Sequence, residues 1–92
     1  MNLSKNILSK IFYGGEDPNN FGIGYLHWVE NRPTLRYIKC SDITSFDSTG
    51  IHFEITTIPF HRIKLIFNKN GEILFKKDVE GLLILLPQNL FI

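Results

Sequence analysis

His61, Arg62, Lys64 and Lys77 fall close together in the second half of the chain. An imidazole can donate to an oxygen, and its charge changes near neutral pH. A guanidinium offers a planar fork that matches phosphate, and lysines add point charge. The chemistry these types support together is capture of an anion, most simply a phosphate. The first two lie on Ile58-Pro59-Phe60-His61-Arg62-Ile63. Proline fixes its own φ and pushes the residue before it toward extended backbone, so His61 and Arg62 leave a stiff corner. The plainer roles are a histidine bonded to a nearby carbonyl and an arginine paired with Asp78 or Glu54. The lysines could equally form a solvated basic edge that keeps a sheet soluble.

The spacing beyond the corner gives these cations a common face. Asn70-Gly71 between apolar runs is a strong hairpin signal. A two-residue loop sets Lys69 opposite Glu72, Phe67 opposite Leu74, Ile66 opposite Phe75, Leu65 opposite Lys76 and Lys64 opposite Lys77. Like charges directly opposite repel by about 0.2–1 kcal/mol. Strand alternation adds Arg62 to the side of Lys64. One face carrying Arg62, Lys64 and Lys77 is therefore expected, and a bound anion would turn its repulsion into attraction.

Tyr25, His27 and Trp28 offer flat surfaces for an unpaired base, each stack being worth about 1–3 kcal/mol in single-strand binders. For Tyr25 and Trp28 the competing role is core packing. Tyr25 and His27 are the candidates for contact with a base or ribose. Catalysis needs a nucleophile or base beside an electrostatic stabiliser, and only His61 with Arg62 comes near that pattern. Gly22-x-Gly24 lacks a following helix and is no dinucleotide fingerprint. A single cysteine, Cys40, precludes an internal disulfide and points to a reducing interior. His27, His52 and His61 lack metal-ligand spacing, so neither a metal nor another cofactor is expected.

The elements that must position these groups fit one domain of 92 residues. Net charge is only +1, so any anion site is local rather than a property of the whole surface. Leu3, Ile7, Leu8, Ile11 and Phe12 recur at helical spacing, with Asn2 or Ser4 as cap and Gly14-Gly15 as stop. A helix over 3–12 is expected. Residues 21–29 form a strand with Phe21, Ile23, Tyr25, His27 and Val29 on one face and two glycines on the other. Glu30 to Pro33 is a turn and 34–40 a second strand. Residues 41–46 are ambiguous between a strand and a helical turn, and 47–50 make another turn. Ile51, Phe53 and Ile55 then alternate with His52, Glu54 and Thr56, which predicts a half-buried strand with His52 toward water.

The hairpin around Asn70-Gly71 closes the core. Leu82 to Leu86 could be a buried strand, a short helix or a contact with another subunit. That run is too short to cross a bilayer, which needs about 20 apolar residues. The N-terminus does not read as a signal peptide, and a cytoplasmic location is expected. The order predicts an α+β fold: a mainly antiparallel sheet of about four to six strands with the N-terminal helix on one face.

With these residues in view, the chain resembles the small archaeal RNA cyclic group end recognition domain. The resemblance covers about residues 7 to 78 and leaves 79–92 as an apolar extension. It rests on Leu8-Ser9-Lys10-Ile11-Phe12-Tyr13, Ile23-Gly24-Tyr25-Leu26-His27-Trp28, the core Ile58-Pro59-Phe60-His61-Arg62-Ile63, and Asn70-Gly71-Glu72-Ile73-Leu74-Phe75. Departures are Tyr13-Gly14 for a Trp-Asp, His27-Trp28 for an Asp-Arg, and Phe75-Lys76-Lys77 for a Trp-Asp-Arg. The resemblance implies binding of RNA ends that carry a 2′,3′-cyclic phosphate; together with the residues above, the expectation is a domain that binds RNA or a phosphate-bearing nucleotide end without turning it over. His61, Arg62, Lys64 and Lys77 would then hold phosphate, and Tyr25 and His27 base or ribose. Two other roles stay open: a homodimer or protein contact through Leu82 to Ile92, and RNA-end processing with His61 as acid or base.

Overall fold

The apolar stripe of the first helix founds the core. In the computed structural model, which describes residues 3–87 and 89–91, helix α1 spans Leu3–Tyr13. It buries Ser4, Leu8 and Ile11, one face at helical spacing. Its end is built around Gly14, whose N–H donates to the Lys10 carbonyl at 2.8 Å. A Cβ at Gly14 would lie 2.3 Å from that same oxygen. Asn2, one of the two candidate caps, lies outside the described residues. Ser4 sits inside the first turn and is buried.

The strands are β1 (Phe21–Val29), β2 (Arg32–Lys39), β3 (Ser45–Asp47), β4 (Gly50–Phe53), β5 (Thr56–Ile58), β6 (Ile63–Asn68) and β7 (Ile73–Lys76). They form an α+β fold with antiparallel pairing throughout. The strands divide into two sheets, one ordered β2-β1-β6-β7 and a smaller one ordered β3-β4-β5. The division falls at residues 40–42, a 3₁₀ turn that carries the chain out of the first sheet while burying Cys40. Leu8 and Ile11 from the helix, Ile23 and Ile66 from the large sheet, and Ile51 and Ile58 from the small one meet in a single core.

One turn is tighter than the sequence suggested, and another falls where a strand was expected. Val29 pairs with Arg32, leaving Glu30 and Asn31 as a two-residue loop, both at positive φ. That is the type I′ pattern, which matches strand twist. β2 therefore begins at Arg32 and includes Pro33. It tolerates the missing N–H because β2 is an edge strand. Phe53 likewise pairs with Thr56. The alternation expected through Ile55 stops at Phe53, Glu54 takes a positive φ, and Ile55 stands fully exposed at the hairpin tip.

The β6–β7 hairpin keeps its expected outer register, with Leu65 opposite Lys76 and Ile66 opposite Phe75. Nearer the turn Phe67 faces Ile73 rather than Leu74, and the register shifts by a bulge. The Asn68 side chain accepts from the Asn70 and Glu72 N–H groups at 3.0 Å each, so the turn is wider than two residues. The bulge absorbs the difference.

β6 also has a second buried side. Leu65 and Phe67 are covered yet lie outside the main core. Beyond β7 the described residues form no helix or strand. They run as a strap over the face that carries Gly22 and Gly24. Phe91 meets the Phe67 ring edge-on at 6.0 Å, and Tyr37 meets it at 5.9 Å. Leu90 fits over Gly22, where a Cβ would come within 2.9 Å of it. Ile92, the last residue of the expected tail contact, lies outside the described residues.

Candidate nucleic-acid interface

The corner at Pro59 becomes a single 3₁₀ turn, Phe60–Arg62, closed by the Arg62 N–H donating to the Pro59 carbonyl at 3.0 Å. A 3₁₀ helix has about 3 residues per turn, so consecutive side chains splay about 120° apart. Phe60 turns inward and is 8% exposed, while His61 and Arg62 are exposed on diverging sides. Arg62 is thus in a turn and not in β6, and strand alternation does not reach it.

Arg62 lines a cleft of about 720 Å³ between the β1–β2 ladder and the β4–β5 hairpin. Tyr25, His27 and Arg36 share it, with Glu54 and Thr57 on the opposite wall. Tyr25 pairs with Arg36 on its β2 side and with Ile63, the residue after Arg62, on its β6 side. Two guanidinium-bearing residues therefore flank one half-buried tyrosine. A bulge between Gly24 and Tyr25 sets this register on the β6 side. The His27 carbonyl accepts from the Thr34 hydroxyl at 2.9 Å. Trp28, for which core packing was the expected role, is 54% exposed near the β1–β2 turn.

His61 and Lys77 line a different cleft, of about 690 Å³, with Ser4, Phe60, Phe75 and Lys76. The expected single face is therefore divided: Arg62 lies on one side of the turn and Lys77 on the other. Lys64 lines neither cleft. Its backbone does stand beside Lys77, whose N–H donates to the Lys64 carbonyl at 3.0 Å. Among the described residues, no acidic side chain forms an ion pair with Arg36, Arg62, Lys76 or Lys77. Neither Glu54 nor Asp78 pairs with Arg62.

Arg36 was absent from the sequence-derived candidates. The two-residue turn at Glu30-Asn31 was the signal that could have placed it opposite Tyr25. A second unanticipated group lies on the small sheet. His52 contacts the Asp47 carboxylate through Nε2 at 2.8 Å and the Thr57 hydroxyl through Nδ1 at 3.0 Å. Asp47 also accepts from the Thr49 N–H at 2.8 Å and from the Thr49 hydroxyl. Hydrogen bonds from the Thr49 hydroxyl first, and then from His52, hold the Asp47 carboxyl below the usual carboxylate range. This group ties β3, β4 and β5 together. Neither Asp47 nor His52 lines either of the two clefts.

Burial pushes the Cys40 thiol up to about 12. Among the described residues, no group of three or more His, Cys, Asp or Glu side chains could hold a metal ion. No described helix is long and apolar enough to cross a membrane.

Residues 1–77 match the family model described as the MJ1316 RNA cyclic group end recognition domain. A UPF0248 protein of Methanococcus maripaludis is 41% identical over 76 residues, which cover 79% of this chain and 96% of that relative. No solved structure gives a significant match.

Proposed function

This chain belongs to the MJ1316 RNA cyclic group end recognition domain family, and we propose that it binds phosphate-bearing RNA ends without turning them over. The observation that carries the reading is the flanking of Tyr25 by Arg36 and Arg62 in one cleft, with no ion-paired acid on either among the described residues. Arginine forks hold phosphate oxygens in a bidentate way. The Tyr25 ring and His27 contact the terminal base or ribose, and Glu54 across the cleft accepts from a base amine. A terminal 2′,3′-cyclic phosphate leaves two non-bridging oxygens for a guanidinium fork to hold. Arg62→Ala is expected to weaken binding of a short 3′-phosphorylated RNA by about tenfold or more, the usual scale for removal of a charged hydrogen bond. Undiminished binding by that variant refutes the reading.

A second reading has one observation in its favour. Leu83 and Leu85 in the strap are 77% and 67% exposed, an apolar edge that a second copy of the chain could cover. Removing the strap would also uncover Phe67, so point substitution is the cleaner test. If Leu83→Ser with Leu85→Ser converts a sedimenting dimer to a monomer, this contact is real; a wild-type protein that sediments as a monomer removes it.

A further inference from the structure

The cleft on the far side of the Phe60–Arg62 turn is left unused by the end-binding reading. We infer that it is a second phosphate subsite, taking an internal phosphate of the same RNA strand. The domain would then grip a chain end together with the nucleotides leading to it, rather than a lone nucleotide. This rests on the end-binding reading and adds a second site to it.

The two clefts differ in a way that fits the two tasks. The first combines arginine forks with a tyrosine, a histidine and one carboxylate, Glu54. Forks and a shaped wall suit one defined terminal group. The second is lined by His61, Lys76 and Lys77 and, among the described residues, by no acidic one. Lysines are compact charges on flexible stems, which suit a backbone phosphate whose exact position varies. Lys76 and Lys77 are both exposed and free of ion-paired acids among the described residues. Each cleft falls within the roughly 300–1,000 Å³ typical of small-ligand sites.

Their connection is covalent and short. His61 and Arg62 are adjacent, and consecutive Cα atoms lie about 3.8 Å apart. The same 3₁₀ turn contributes Arg62 to one cleft and Phe60 and His61 to the other. A strand that places its end against Arg62 can therefore cross the turn and reach His61 without a long detour. No described residue beyond Lys77 lines either cleft, so the strap occupies neither of them.

Binding of a nucleoside 2′,3′-cyclic monophosphate and of di- and tetranucleotides with the same end tests the inference. The tetranucleotide is expected to bind about tenfold or more tighter than the mononucleotide, as an added charged hydrogen bond would give. Lys76→Ala with Lys77→Ala should remove most of that ratio. The same double substitution should flatten the salt dependence of tetranucleotide binding, lowering the log–log slope by about 0.7 for each phosphate no longer neutralised. A ratio near one in the wild type, or a ratio that survives the double substitution with its salt slope intact, overturns the second subsite. If Arg62→Ala leaves every affinity unchanged, the end-binding reading falls instead, and the lysine arm still decides the second cleft on its own.

Discussion

His61 and Arg62 are consecutive in the chain, yet one lines a cleft with Lys76 and Lys77 and the other a cleft with Tyr25 and Arg36. The cause is local. Pro59 fixes the entry to a 3₁₀ turn, Phe60 anchors it in the core, and the next two side chains have to diverge. The position of each cation in the folded protein follows from which turn residue it is, rather than from its distance along the sequence.

Gly22 marks where the strap and the sheet meet most closely. A Cβ there would lie 2.6 Å from the Phe67 ring and 2.9 Å from Leu90. Gly22→Ala is expected to destabilise the fold by about 1–3 kcal/mol through overpacking, despite the better strand propensity of alanine. Urea denaturation checks this, and an unchanged or raised midpoint contradicts the packing described.

The Asp47 carboxyl is held low in the folded state, so its contribution to stability has a definite sign with pH. It is fully present above the unfolded carboxylate value of about 4, and it is lost as pH falls through the lower folded value. Denaturation of the native protein and of Asp47→Asn should therefore differ at pH 7 and converge as pH drops well below 4. A gap that stays constant across that range contradicts the Thr49 and His52 hydrogen bonds as its source.

Cys40 is fully buried and its thiol is pushed up to about 12. Burial thus disfavours the reactive thiolate and also keeps reagents away from it. Alkylation by iodoacetamide is expected to be negligible in the folded protein and complete in denaturant. Rapid labelling without denaturant would mean that the core beside β2 opens readily.

Much of the scaffold is legible in the residues. The 3.6-residue spacing of Leu8 and Ile11, the Gly14 stop and the period-two run from Phe21 each specify their element by local rules. The outer register of the β6–β7 hairpin is legible too, because the Asn68 turn and the bulge near Leu74 offset one another. The β2 boundary is obscured by Pro33, which reads as a breaker unless the strand is known to lie at an edge. Ile55 misleads because a β-branched residue extends an apparent strand that in fact turns at Glu54. The site is legible in its residue types and not in its grouping. Tyr25, His27 and Arg62 come together, while Arg36 depends on a register that a two-residue turn alone reveals. Lys77 separates from Arg62 because alternation applies to strands and fails one residue earlier, in a 3₁₀ turn.

The most direct measurement compares RNA oligonucleotides of one sequence ending in 2′,3′-cyclic phosphate, 3′-phosphate or hydroxyl, bound to the native protein, Arg36→Ala and Arg62→Ala. The native protein is expected to prefer the phosphate-bearing ends, and each substitution to shrink that preference by about tenfold, the scale of one charged hydrogen bond. Equal affinity for all three ends, or a preference that survives both substitutions, would contradict phosphate-end recognition at the Tyr25 cleft.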